Sequence, residues 1–272
     1  VAAPCGRLGR DLMRYVEARP CAALAPYVEC YWALELSGPA PVGVHRVLPD
    51  GCLDILVDLS AGGGPRVVGA MRTAEVVPLG DAASFIAVRF RPGGAQPFLR
   101  LPLLELTDVK VALGDLWPRE AREWWERLAE AEGRAARFAL LERLLLERLP
   151  GREGDAGVRH AVDLILGARG QVPVRSLEEV MGVGARQVER RFLASVGLSP
   201  KVLCRIARLQ HAVALSSGPR ALEGAAWALA AGYYDQAHQV REFRALTGLT
   251  PGAYVREQAE VGFVQSPGGG DA

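Results

Sequence analysis

Lysine is almost missing from this sequence: Lys110 and Lys201 are the only two among 32 basic residues. Positive charge is therefore carried by arginine, a planar cationic fork suited to phosphates, carboxylates and guanine edges. Cysteine pairing is missing as well. The five cysteines (Cys5, Cys21, Cys30, Cys52 and Cys204) are odd in number, dispersed, and form no Cys-x-x-Cys pair. That excludes an ordinary disulfide framework and favours reduced thiols in a cytosolic protein. No run of about 18 apolar residues occurs, and the first residues, Val-Ala-Ala-Pro-Cys-Gly-Arg, lack the apolar core of a signal peptide. The expectation is a soluble, cytoplasmic chain with no membrane partner. Excess charge of either sign is missing too. With 32 Lys+Arg against 31 Asp+Glu the formal net charge is +1, which excludes a uniformly basic nucleic-acid binder but leaves room for local asymmetry.

The 272 residues, 50% apolar and 23% charged, are enough for two ordinary cores. Residues 27–36, 52–59, 66–71 and 84–90 read as short strands. Between them lie the turn signals Ser-Gly-Pro at 37–39, Leu-Pro-Asp-Gly at 48–51, Ala-Gly-Gly-Gly-Pro at 61–65 and Arg-Pro-Gly-Gly at 91–94. This spacing predicts a small antiparallel barrel or sandwich. Helical character begins after about residue 102, with helices over 119–131 and 134–149. On the second, Phe138, Leu141, Leu145 and Leu149 form an apolar stripe, which would be buried equally well on its own barrel or in a dimer seam. Pro-Gly-Arg-Glu-Gly-Asp-Ala-Gly at 150–157 has linker composition. The expected fold class is therefore α+β multidomain. Residues 1–150 form a β-rich sensing or dimerisation domain ending in two helices, 151–157 a linker, 158–260 an all-α domain, and 261–272 a flexible tail.

Candidate catalytic groups are few. Asp54 and Asp58 share a strand face, but four residues span roughly 13 Å, beyond the carboxylate separations used by glycosidases. Asp50 fits backbone hydrogen bonding in a turn. His45, Cys52 and Cys30 have zinc-compatible chemistry without clustered spacing. Gly62-Gly-Gly64 is followed by proline and arginine, as in a hairpin turn rather than a phosphate loop. No Gly-x-Ser-x-Gly elbow occurs. Tyr31, Trp32, Phe85 and Phe90 would line a barrel interior or serve as plain core. Neither an enzyme nor a cofactor is expected.

The last hundred residues contain a repeat. Phe192-Leu-Ala-Ser-Val-Gly197-Leu198-Ser199-Pro200 recurs as Phe243-Arg-Ala-Leu-Thr-Gly248-Leu249-Thr250-Pro251, with Arg190 and Arg241 each two residues before the phenylalanine. Each copy reads as short helix, glycine-containing turn, longer helix, and then a glycine stop followed by a hydroxyl cap and a first-turn proline. These are two helix-turn-helix units in tandem. In the first, Val188 and Phe192 face inward while Arg186, Glu189 and Arg190 share another face. In the second, Phe243 and Leu246 face inward and Gln236, Ala237, Val240 and Arg241 lie outside. Arginine can grip guanine bidentately and glutamine adenine in a major groove.

Residues 186–244 hold nine basic side chains against four acidic ones, whereas residues 1–154 hold 19 and 20. The positive excess thus sits on the repeated units, as phosphate binding requires. A connecting helix over about 200–216 would be roughly 25 Å long. That is short of the roughly 34 Å between successive major-groove faces but compatible with adjacent grooves on bent DNA.

On these residues, 158–258 resemble the DNA-binding domain of AraC-type (arabinose-regulator) transcriptional regulators, most closely in Gly232-Tyr-Tyr-Asp-Gln-Ala-His-Gln-Val-Arg-Glu-Phe-Arg-Ala-Leu-Thr-Gly-Leu-Thr-Pro251. The resemblance implies base or backbone contacts from Arg186, Gln187, Glu189, Arg190, Gln236, Ala237, His238, Val240 and Arg241. Glu189 departs from the usual neutral side chain and would read a cytosine amino group or pair with Arg186 or Arg190. His238 fits a phosphate contact or a plain helix surface as well as a base contact. Gln239 stands where the inner face usually has an apolar residue. The stretches 24–32 (Leu-Ala-Pro-Tyr-Val-Glu-Cys-Tyr-Trp), 46–54 (Arg-Val-Leu-Pro-Asp-Gly-Cys-Leu-Asp) and 85–94 (Phe-Ile-Ala-Val-Arg-Phe-Arg-Pro-Gly-Gly) resemble an uncharacterised amino-terminal domain of some AraC-type regulators. By family analogy this half is a cupin-like effector-sensing or dimerising module. The implied partners are double-stranded DNA, a small-molecule effector, a second copy of the chain and RNA polymerase. An enzyme fused to a DNA-binding module and a constitutive DNA binder with a purely structural first half are the alternatives.

Overall fold

The computed structural model describes residues 13–36, 44–78, 83–149, 151, 154–217 and 221–261. The turn at 37–39, the tail beyond 261 and part of the expected linker lie outside them. In chain order the first half contains β1 (Met13–Ala18), β2 (Val28–Leu36), β3 (Val44–Val47), β4 (Leu53–Asp58), β5 (Pro65–Val68), β6 (Glu75–Pro78) and β7 (Ala83–Phe90). There follow α1 (Gln96–Leu99), a 3-10 turn (Leu103–Leu106), β8 (Lys110–Ala112), α2 (Leu113–Leu116), α3 (Glu120–Glu130) and α4 (Arg134–Arg148). The second half is helical: α5 (Ala156–Gly167), α6 (Val174–Met181), α7 (Ala185–Ser195), α8 (Pro200–Leu215), α9 (Gly224–Ala230), α10 (Gln236–Thr247) and α11 (Pro251–Val261).

The β-rich half is built as the turn signals require, with two antiparallel sheets. The larger runs β1-β2-β7-β4-β5-β8 and the smaller pairs β3 with β6. The larger sheet is open, with β1 and β8 at its edges. The Gly62-Gly-Gly64 segment closes the β4–β5 hairpin, with Asp58 N–H donating to Gly64 O at 3.2 Å. A register shift between Val28 and Cys30 lets Val28, Tyr31 and Ala33 point into the same core, which strict alternation would forbid. That core adds Leu53, Ile55, Val57, Ile86, Val88 and Phe90. The α4 stripe closes it: Phe138, Leu141 and Leu145 are buried there and Leu149 packs against it, with Phe138 stacked on Tyr31 at 6.1 Å. The stripe is therefore satisfied within its own domain.

The opposite face of the large sheet sets an ion pair among apolar side chains, Trp32, Leu34, Leu56, Phe85 and Ala87. Arg89 on β7 pairs across the register with Asp54 on β4, Nε to Oδ1 at 3.2 Å and Nη2 to Oδ2 at 3.3 Å, while Asp50 stands 3.7 Å away. Burial pushes the Asp54 carboxyl up, against the pull of Arg89. Burial alone would lower the Arg89 value, but Asp54 and Asp50 more than offset it and hold the guanidinium well above its ordinary range. Asp58 pairs separately with Arg66 at 3.4 Å. The two strand carboxylates thus serve different arginines, and among the described residues no group of three His, Cys, Asp or Glu side chains could hold a metal ion.

Two further cores occupy the helical half. One gathers Val158, Leu177, Val188, Phe192, Leu203 and Ile206, and admits Ala70 from the β-rich half. The other gathers Leu209, Val213, Trp227, Phe243, Leu246 and Tyr254, and admits Leu48. Polar contacts follow the same seam. Arg46 reaches Glu257 at 2.9 Å and Thr247 O at 2.9 Å. Ala74 N–H donates to Leu246 O at 2.7 Å, Thr107 Oγ1 to Gly197 O at 2.7 Å, and Arg91 pairs with Asp163 at 3.1 Å.

Arg89 is only 9% exposed, so removing it strands a buried carboxylate. Arg89→Met is expected to lower the unfolding free energy by about 3 kcal/mol or more. The double variant Asp54→Leu with Arg89→Met should recover most of that loss in urea titrations.

Candidate nucleic-acid interface

The two candidate recognition helices are α7, which starts after Gly184 without a side-chain cap, and α10, which has one. The turn before α10 is capped by Asp235, whose Oδ1 accepts from His238 N–H at 2.6 Å. Gly197 and Gly248 follow the two helices with left-handed φ values of 84° and 78°, a conformation that costs glycine nothing. Ser199 Oγ then accepts from Val202 N–H at 3.4 Å and Thr250 Oγ1 from Ala253 N–H at 3.3 Å. The matched caps of the repeat are thus matched in three dimensions.

On α7, Val188 and Phe192 are fully buried, while Arg186, Glu189 and Arg190 are exposed and Gln187 is half-buried. Together with Gly184, Ala185 and Leu193 these side chains line a shallow surface depression. On α10, Phe243 and Leu246 are buried, Gln236, Ala237 and Arg241 are exposed, and Val240 is half-buried. Glu189 makes no ion pair with Arg186 or Arg190 among the described residues. His238 is turned back on its own helix start: its Nδ1 accepts from Tyr234 N–H at 3.3 Å, and its ring stands edge-on to Tyr233 at 5.4 Å.

The electrostatics are sharper than the sequence count. Three of the nine basic groups are committed within the fold. Arg191 grips Asp155, the α5 cap, with Nε 2.7 Å from Oδ2. Arg205 pairs with Glu242 at 2.6 Å, and Arg208 donates to Gly170 O at 3.0 Å. Arg186, Arg190, Arg241 and Arg244 enter no ion pair among the described residues, and all four are exposed. With Lys201 on the first turn of α8, also exposed and in no ion pair among the described residues, they are cations free for a ligand, and the polar contacts between the two halves of the chain use none of them.

Sequence reasoning passed over Tyr234, which is 86% exposed on the turn directly before α10. Its signal was the doubled aromatic after Gly232. Tyr233 fills the core at 3% exposure, so the second ring has nowhere to go but outward. Arg244, one turn beyond Arg241, was counted as charge without being placed on a face.

Gln239 departs from an apolar inner face and the structure buries it, at 1% exposure. Its Nε2 has no hydrogen-bond partner, and neither do Tyr233 Oη and Arg208 Nε. An unmade buried bond carries a desolvation cost that an apolar side chain of similar shape avoids. Gln239→Met is therefore expected to stabilise the chain by about 1 kcal/mol, read as a raised urea midpoint with unchanged helicity.

The Arg191 hydrogen bonds hold the Asp155 carboxyl below its usual range, against partial burial. Such a depressed group contributes its full stability above the unfolded carboxylate's ordinary pKa of about 3.9, and that contribution is lost as pH falls on through the lower folded value. Asp155→Asn keeps a capping side chain while removing the ion pair. It should be less stable than the wild type at pH 7, with the gap closing in urea titrations toward pH 4 and below.

Two family models match separate stretches of the chain. A family model described as a helix-turn-helix domain matches residues 177–257, and one described as a domain of unknown function, DUF6597, matches residues 16–112. No curated protein matches at a significant level. Among solved structures, ToxT from Vibrio cholerae is 10% identical at a TM-score of 0.40, with 90% of this chain and 97% of that chain covered. Wild-type ToxT from Vibrio cholerae with an unsaturated fatty acid bound is 10% identical at a TM-score of 0.39, covering 90% and 94%.

Proposed function

We propose that this chain, which carries an AraC-type helix-turn-helix domain at residues 177–257 behind a domain of unknown function at 16–112, is a sequence-specific transcriptional regulator that reads two adjacent major grooves. The observation that carries the reading is the pair of equivalent helices, each with a buried inner face, exposed unpaired arginines and a glycine stop followed by a hydroxyl-capped helix. In this reading Arg186, Gln187, Glu189 and Arg190 on α7, and Gln236, Ala237, Val240 and Arg241 on α10, contact base edges and flanking phosphates. Arg244 and Tyr234 extend the second face, and His238 holds the start of α10 rather than reading a base. The helix α8, 16 residues long and so about 24 Å, spaces the two readers, with DNA bending covering the remaining distance.

The first half, residues 1–150, acts in this reading as a regulatory module ahead of a linker at 151–157 and the DNA-binding domain at 158–260. A small-molecule effector, self-association and contact with RNA polymerase belong to the same reading. Among the described residues no catalytic constellation supports an enzyme: Asp54 and Asp58 are tied to Arg89 and Arg66, and Asp50 Oδ1 is spent on Cys52 N–H at 2.9 Å.

Arg190→Ala and Arg241→Ala should each weaken binding to a selected duplex by about 1–3 kcal/mol while relaxing preference at one base pair. Fluorescence anisotropy on matched and single-substituted duplexes measures both. Equal losses on every duplex would make them phosphate contacts, and salt-insensitive binding of the full chain would remove the reading altogether.

A further inference from the structure

Residues 48–52 (Leu-Pro-Asp-Gly-Cys) join two parts of the molecule that the function so far treats separately. On one side the segment is anchored in the large sheet. It runs directly into β4, Asp50 Oδ1 accepts from Cys52 N–H at 2.9 Å, and Asp50 Oδ2 lies 3.7 Å from the Arg89 guanidinium that holds Asp54. On the other side it lies on α8. Pro49 O accepts from Gln210 Nε2 at 2.7 Å. Leu48 is buried in the core that contains Leu209, Ala212 and Val213. Gly51, at φ +81°, sits so close that a Cβ would come within 2.7 Å of Leu203 Cδ1.

The contact point on α8 matters. Leu203, Cys204, Ile206 and Ala207 of α8 belong to the core of the first helix-turn-helix unit, and Leu209, Ala212 and Val213 to that of the second. The segment touches α8 on both sides of this changeover. The preceding strand, β3, ties the far end of the second unit through Arg46 to Thr247 O and Glu257. A loop rooted in a sheet therefore braces the one helix that both recognition units share.

We infer that residues 48–52 are a positioning element that fixes the angle and separation of α7 and α10, so that the β-rich half sets which spacing between two DNA boxes the protein accepts. This rests on the DNA-binding reading above and adds a specificity role for residues that touch no DNA. Arg89 and Asp54 act through the segment by holding its sheet end, and Gln210 and Leu203 receive it on α8.

The test uses the full chain and a random double-stranded DNA library. The wild type is expected to enrich two boxes at one fixed spacing and to lose about tenfold in affinity or more when one or two base pairs are inserted between them. Gln210→Ala and Leu48→Ala should cut that penalty to about threefold or less on the same duplexes. Arg91→Ala, which breaks a contact between the two halves away from α8, should retain it. Gln210→Ala removes only a surface-side hydrogen bond and carries the test if Leu48→Ala does not fold. A folded Gln210→Ala chain with the full wild-type penalty overturns the proposal, as does wild-type enrichment of a single box. Enrichment of no sequence at all would instead overturn the DNA-binding reading.

Discussion

One helix has to serve two hydrophobic cores at once, and the rest of the molecule is arranged around that constraint. Half of α8 completes the first helix-turn-helix unit and half completes the second, so neither unit can rotate without disturbing a side chain the other depends on. Interiors at this packing density do not yield gradually. The polar contacts on α8 reinforce the arrangement: Arg205 reaches across to Glu242 on α10, and Arg208 reaches back to Gly170 ahead of α6. The relative placement of α7 and α10 is thus a property of the connector as much as of those helices.

The β-rich half is docked on this assembly rather than tethered beside it. Leu48 and Ala70 lie inside the cores of the helical units, and a backbone hydrogen bond from Ala74 to Leu246 crosses the seam. Two modules joined only by a chain linker would move independently. Here the first half contributes buried side chains to both units, so a change in its sheet has a direct mechanical route to the helices.

Much of this was legible in the sequence. The helical half could be read almost element by element, because its caps recur at fixed spacing and its apolar positions follow a 3.6-residue period. The longer strands β2, β4 and β7 were legible from β-branched and aromatic runs bounded by turns. The strands β1, β3, β6 and β8 were not. Strand β5, also only four residues long, was legible because the Gly62-Gly-Gly64 turn sets it off, whereas β3, β6 and β8 are too short to display alternation by themselves. The docking was invisible for a different reason. It depends on Pro49 O, Leu246 O and Gly197 O, and a carbonyl has no sequence signature. On the candidate recognition faces Arg186, Glu189, Arg190, Gln236, Ala237 and Arg241 are exposed, Gln187 and Val240 are half-buried, and His238 folds back on Tyr234; away from those faces, three of the nine basic groups are used internally. Such commitments are set by neighbours far away in the chain, as Asp155 is from Arg191.

The scarcity of lysine has a consequence for control. The free cations of the recognition faces are all arginine, whose charge is fixed throughout the pH range in which a protein stays folded. A guanidinium offers no amine to acylate, and the His238 ring on α10 is occupied with its own helix start. Lysine acylation therefore has no target on α7 or α10, neither of which carries a lysine. Whatever signal governs the protein has to act on where the arginines are held, not on whether they are charged.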